Sequence, residues 1–181
     1  MKPLLVLSFL LLIVTVCLAQ PTEPSGKIEQ KLADMGVTLY KLPAPTANYV
    51  RAVRVGNLVF LAGHGPMRPD GTNVTGKLGQ DLSIEEGQQA ARYTAIALLS
   101  ALKEELGDLD QVERLVKVHG MVNSTPDFTD HSQVINGFSD FMAEVFGEAG
   151  KHARAAVGMN SLPGNIAVEI EMIVQIKAPP K

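Results

Sequence analysis

Arg154 is the side chain in this sequence best suited to gripping an anion. It lies in the run Lys151-His152-Ala153-Arg154-Ala155-Ala156-Val157-Gly158. Read as a strand with period two, the run sends Ala153, Ala155, Val157 and Met159 to one face. His152, Arg154, Ala156 and Gly158 go to the other. The apolar set is expected to face a helix-covered core. Arg154 then stands beside two small residues, which leaves room in front of a planar fork of donors that suits a carboxylate or phosphate. The competing expectation is an ion pair with Glu169 or Glu171 on the last strand.

The remaining reactive side chains narrow the chemistry. His64, His119, His131 and His152 fall on different elements without metal-ligand spacing, so no metal is expected. No serine occupies a G-x-S-x-G elbow. Gly63-His64-Gly65-Pro66 lacks the length and the lysine of a phosphate loop, and reads as a turn able to offer backbone N–H groups to an anion. Asn73-Val74-Thr75 and Asn123-Ser124-Thr125 fit the N-glycosylation pattern.

The chain has 181 residues and a formal net charge of −3. Met1-Lys2 precedes an apolar run from Leu4 to Leu18 that ends at Ala19, the plan of a cleaved secretory signal peptide over residues 1–19. A retained anchor and a lipidated Cys17 are the less favoured alternatives. Cleavage would remove the single cysteine and leave a net charge of −4. It implies an exported protein without disulfides or a cysteine nucleophile, and with no membrane attachment. Mild acidity without a basic stripe argues against nucleic acid as a partner.

The elements that must position Arg154 follow from periodicity. Residues 20–36 read as a polar leader carrying a short helix from Ile28 to Met35, and residues 37–178 as the domain. Val37 to Leu42 looks extended, and strands are expected over Tyr49–Val55 and Leu58–Ala62 across the Gly56-Asn57 turn. Gly63 to Gly79 reads as a loop. Ser83-Ile84-Glu85-Glu86 is a capping box that opens a helix with the stripe Ala91, Ala95, Leu98, Leu102, Leu106, ended by Gly107. A strand over Glu113–Asn123 places Val116, Val118, Gly120 and Val122 on one face. A second helix runs from His131 to Phe146, buries Val134, Phe138, Phe141, Met142 and Val145, and closes at Gly147. Strands near His152–Met159 and Ile166–Lys177 follow. The last alternates cleanly, with Glu169 and Glu171 opposite the apolar set.

The fold class is therefore α+β, a mainly antiparallel sheet of five to six strands with two main helices on one face. The uncovered face, expected to carry Glu169, Glu171, His152 and Arg154, would be solvated or used as a subunit interface.

Ala153-Arg154-Ala155-Ala156-Val157, Leu162-Pro163 and Val168-Glu169-Ile170-Glu171 resemble the C-terminal signature of the Rid family. These are the YjgF-like reactive-intermediate deaminases, also called L-PSP endoribonucleases. Asn48-Tyr49-Val50, Gly56-Asn57-Leu58-Val59 and Ala62-Gly63-His64-Gly65-Pro66 resemble the family's first strand and its following turn. The resemblance covers Leu42 to Ile176. It implies a chorismate-mutase-like fold, a homotrimer whose sheets form a central barrel, and clefts between subunits. The implied activity is hydrolysis of 2-imino acids and their enamine tautomers to 2-keto acids and ammonia, with no cofactor.

By position, Arg154 matches the carboxylate-gripping arginine and Glu169 the glutamate that places water and moves protons. Tyr49 and Asn136 match other cleft residues, Gly63 would offer a backbone N–H, and Ala156 would contribute its carbonyl. A cleft would raise the pKa of Glu169, and a nearby Arg154 would lower it. The sequence departs from the pattern around Tyr49 and at His64, where glutamine is common. The alternatives are a non-catalytic trimer that binds a small carboxylate in the same cleft and, less favoured, an endoribonuclease.

Overall fold

The computed structural model describes residues 26–178. The expected signal peptide lies outside the described residues. Helix α1 (Lys27–Asp34) is followed by β1 (Ala52–Val55), β2 (Leu58–His64), α2 (Ile84–Leu106), β3 (Val112–Asn123), α3 (His131–Phe146), β4 (Ala153–Met159) and β5 (Val168–Ile176). The sheet order is β1-β2-β5-β3-β4. β4 runs parallel to β3, while every other pairing is antiparallel. α3 supplies the long crossover that a parallel pair requires. The architecture is thus α+β with a five-stranded mixed sheet and three helices.

Local rules account for both main helices. Ser83 Oγ accepts from the Glu86 N–H at 3.2 Å, and the Glu86 carboxylate accepts from the Ser83 N–H at 2.8 Å. Gly107 ends α2 in the left-handed region, with φ +76°, where a side chain would be strained. α3 buries Val134, Ile135, Phe138, Phe141, Met142 and Val145. The two helices cross where α3 has Gly137, since a Cβ there would run into the Gln88 backbone of α2. Their shared apolar side covers Val59 and Leu61 of β2, Leu115, Val118 and Val122 of β3, and the buried row of β5 from Val168 to Ile176. Deleting a ring as buried as Phe138 would cost about 3–5 kcal/mol.

The structure refines several expectations. Val37–Leu42, read as extended, joins no strand of the sheet and is pinned by Tyr40, whose N–H donates to Ser100 Oγ of α2 and whose hydroxyl donates to the Met67 carbonyl. β2 extends through Gly63 and His64 instead of ending in a loop. In β3, register shifts near both Arg114 and Val116 put Leu115 in the core where alternation had placed Val116.

The most consequential correction concerns β4, whose faces are the reverse of those expected. Arg154 pairs with Val118, which pairs with the buried Met172, so Arg154 shares the helix-covered face. Ala156, opposite Gly120, packs against the core, and the space beside Gly158 is filled by the His131 ring. Val157 lies on the open face, opposite Met121 and hence in line with Glu169. β4 is an edge strand, and what α3 presents above it is polar, so the arginine is accommodated there.

Candidate functional site

The six residues singled out from the sequence fall into two clusters. Asn136, Arg154 and Ala156 belong to the α3–β4 edge. Tyr49, Gly63 and Glu169 belong to the β1–β2–β5 side. Arg154 and Glu169 lie on opposite faces of the sheet. β4 and β5 are separated by β3, about 10 Å from strand to strand. The two clusters therefore do not meet within one chain, and the expected Arg154–Glu169 or Arg154–Glu171 ion pair is absent among the described residues.

In the first cluster, Ser132, Asn136 and Ser139 recur along α3 at helical spacing and meet the guanidinium. Arg154 Nη1 donates to Asn136 Oδ1 at 2.9 Å and to Ser139 Oγ at 3.0 Å, which uses both of its hydrogens. Nη2 reaches the Ser132 carbonyl at 3.4 Å. Nε donates to no group among the described residues. Nε and one hydrogen of Nη2 are left, on the edge of the guanidinium that a carboxylate can accept in bidentate fashion. His152 stands behind this arrangement, with Nε2 3.1 Å from Ser139 Oγ and Nδ1 2.7 Å from the Gly150 carbonyl. Ser139 was not singled out from the sequence. Its signal was the polar stripe Ser132, Asn136, Ser139 opposite the apolar face of the same helix.

In the second cluster, Glu169 projects from the open face of β5 toward Gly63. A Cβ on Gly63 would collide with Glu169 Oε1, so the glycine makes room for the carboxylate. Burial and the neighbouring Glu171 charge both raise the Glu169 pKa above its ordinary value. Glu171 in turn lies 3.3 Å from His119 Nδ1. Tyr49, half exposed, lines a cleft of about 400 Å³ together with Gly63, His64, Arg51 and Asn73. His64 Nδ1 is 2.8 Å from the Ala62 carbonyl, which can only accept, so the ring carries its hydrogen there. Burial holds the His64 pKa below the ordinary histidine value against this hydrogen bond, with help from Arg51.

Chemically, the first cluster is an oriented cation with a free fork. The second is a carboxylate of raised basicity beside a cleft. The open face between them carries Val53, Val55, Phe60 and Val157, all substantially exposed in the single chain.

Residues 40–176 match the family described as endoribonuclease L-PSP. The chain belongs to this family. Among relatives of this L-PSP protein, Protein TCP17 of Trypanosoma cruzi is 43% identical over 153 residues, covering 84% of this chain and 96% of that one. The 2-iminobutanoate/2-iminopropanoate deaminase of Dermatophagoides farinae is 35% identical over 138 residues, covering 75% and 91%. The crystal structure of Atu1372 from Agrobacterium tumefaciens, a protein of unknown function, superposes with a TM-score of 0.77 at 44% identity. It covers 83% of the L-PSP chain and 94% of its own. The family thus includes an imine deaminase, and the L-PSP fold accounts for the mixed sheet and its helices.

Proposed function

We propose that this protein hydrolyses 2-imino acids and their enamine tautomers to 2-keto acids and ammonia, in a cleft that two subunits of a homotrimer build together. The observation that carries this reading is Arg154. Both hydrogens of Nη1 are held by α3 and Nη2 makes one long contact to the Ser132 carbonyl, so Nε and the other hydrogen of Nη2 are left for a planar carboxylate. Glu169 supports it as a carboxylate whose pKa is raised by burial and by the Glu171 charge. Their placement on opposite faces supports a shared site, with Arg154 and Asn136 from one subunit facing Tyr49, Gly63 and Glu169 of the next. The exposed valines and Phe60 of the open face are the surface such an assembly would cover.

The chemistry needs little more than placement. Arg154 would hold the carboxylate and leave C2 of the imine facing a water beside Glu169. Glu169 accepts a proton as the water oxygen bonds to C2, and the C=N π pair becomes the nitrogen lone pair. That proton passes to nitrogen to give the carbinolamine; Glu169 then takes the hydroxyl proton and delivers it to the same nitrogen, and the C–N bond breaks to release ammonia as the C=O bond forms. One water is consumed for each keto acid and ammonia released. The acidic balance of the chain supports a small carboxylate over RNA as ligand. Export through residues 1–19 remains part of the proposal, and N-terminal sequencing of the secreted protein tests it.

Complementation tests the shared cleft. Arg154→Ala and Glu169→Gln, each inactive alone, are unfolded together and refolded as mixed trimers. About a quarter of the clefts would then combine two intact halves, so ammonia release from enzymatically generated 2-iminobutanoate should return to that fraction. No recovery, with mixed trimers present, rejects the shared cleft. A wild-type trimer that binds 2-oxobutanoate through Arg154 yet releases no ammonia from 2-iminobutanoate would instead be a carboxylate-binding protein.

A further inference from the structure

Behind Arg154 runs a chain of hydrogen bonds whose directions are set from its far end. The Gly150 carbonyl can only accept, so His152 Nδ1, 2.7 Å away, carries the ring hydrogen. In the neutral ring Nε2 is then a lone pair, and Ser139 Oγ donates its single hydrogen to it across 3.1 Å. With that hydrogen committed, Ser139 turns its lone pairs to Arg154 Nη1, which donates at 3.0 Å.

The far end is rigid. A Cβ on Gly150 would collide with the Met142 carbonyl, so this backbone lies directly against the last turn of α3. The His152 ring is also wedged edge-on to Phe138, with centroids 5.8 Å apart at 78°. Burial, assisted by the Arg154 charge, holds the His152 pKa below its ordinary value against the Gly150 hydrogen bond. That keeps Nε2 an acceptor at neutral pH.

We propose that Ser139 and His152 are positioning residues for Arg154. They fix the plane of its guanidinium so that the Nε–Nη2 edge faces the cleft. Without Ser139, the guanidinium keeps Asn136 on Nη1 and only the long 3.4 Å contact from Nη2 to the Ser132 carbonyl, a loose pair about which it can swivel. A second acceptor on the same nitrogen defines the plane. Ser139 is a dependable acceptor only while His152 holds its hydrogen; without the ring, the hydroxyl can rotate and point that hydrogen at the cation. This inference rests on Arg154 being the carboxylate clamp. It adds two residues that touch neither the substrate nor the reacting atoms.

The test uses the full chain, with 2-oxobutanoate as probe, calorimetry for affinity, and nitrogen NMR of the Arg154 side chain in the absence of ligand. The wild type should show separate, slowly exchanging Nη hydrogens, and these should merge in Ser139→Ala and in His152→Phe. The phenylalanine keeps the ring packing and deletes the acceptor. Each variant should bind 2-oxobutanoate at least about 10-fold more weakly, the lower end of what one hydrogen bond to a charged group is worth. The double variant should be no weaker than either single one, since both break the same chain. His152→Gln, whose amide oxygen can accept from Ser139, should recover most of the affinity.

Free rotation of the guanidinium in the wild type would overturn the proposal. So would additive losses in the double variant, which would mean two independent packing effects. Restricted rotation that depends on Ser139 and His152, with unchanged 2-oxobutanoate affinity in Arg154→Ala, would instead reject the clamp and leave the positioning intact.

Discussion

The two halves of the candidate site are built on opposite principles. At the α3–β4 edge the cation is tied down: Arg154 has three acceptors on α3, and one of them is itself held by His152. At β5 the carboxylate is left wanting, because burial and Glu171 oppose its charge and no cation approaches it among the described residues. An arginine must be oriented before it can read a planar anion, and orientation can be built within one chain. A base gains strength from the lack of a partner, and that lack is easiest to arrange at a surface awaiting a neighbour.

The contrast breaks most visibly if the two halves cannot be separated kinetically. Glu169→Gln should lower kcat by about 1,000-fold, within the usual range for a lost general base, while leaving 2-oxobutanoate affinity in place. Arg154→Ala should do the reverse first, weakening that affinity by about 100-fold, with Arg154→Lys recovering little because an ammonium has no fork. Steady-state kinetics beside calorimetry decides both. If Glu169→Gln also abolished binding, the division of labour drawn here would be wrong.

Gly63→Ala sharpens the carboxylate side. Its methyl group collides with Glu169 Oε1, so the base must move. A displacement near 1 Å should cost about 100-fold in kcat with affinity unchanged. The pH profile offers a smaller, more diagnostic effect. Glu169 must be ionised to act, and its folded pKa is raised, so activity should fall on acidification at a higher pH than an ordinary glutamate gives. Glu171→Gln should move that limb back toward acid by removing the like charge. The same sign holds for stability: a raised carboxylate pKa favours the fold at low pH, a contribution lost as pH rises through the folded value. Glu169→Gln should therefore melt no lower than wild type at neutral pH.

The smallest effect lies outside both halves. Ser83→Ala removes one side of the α2 capping box and should cost about 1 kcal/mol of stability in denaturant titration. Its kinetics should match the wild type, since neither half rests on that turn.

What could be read from the sequence were the features decided within a few residues. Ser83 and Glu86 satisfy each other three residues apart, Gly107 stops a helix by its own backbone freedom, and β5 alternates strongly enough to name its buried row. α3 runs from His131 to Phe146 as its spacing predicts. Arg154 and Glu169 could be picked out as residue types, and the motifs around them pointed to the family.

Their relation in space could not. Ala153 to Met159 offers almost no polarity contrast, so alternation defines two faces without saying which is inside. The answer came from the parallel pairing with β3 and from a polar stripe on α3, both set by contacts between distant segments. The same holds for Leu115 in place of Val116, which depends on a local break in strand register that leaves no composition signal. Ser139 and His152 are 13 residues apart and acquire a joint role only when the end of α3 folds back on β4. Sequence determined which groups carry charge and which segments are helix or strand, because those choices are local. Only the tertiary structure decided that the cation and the carboxylate face away from each other, because a strand's face is chosen by its neighbours.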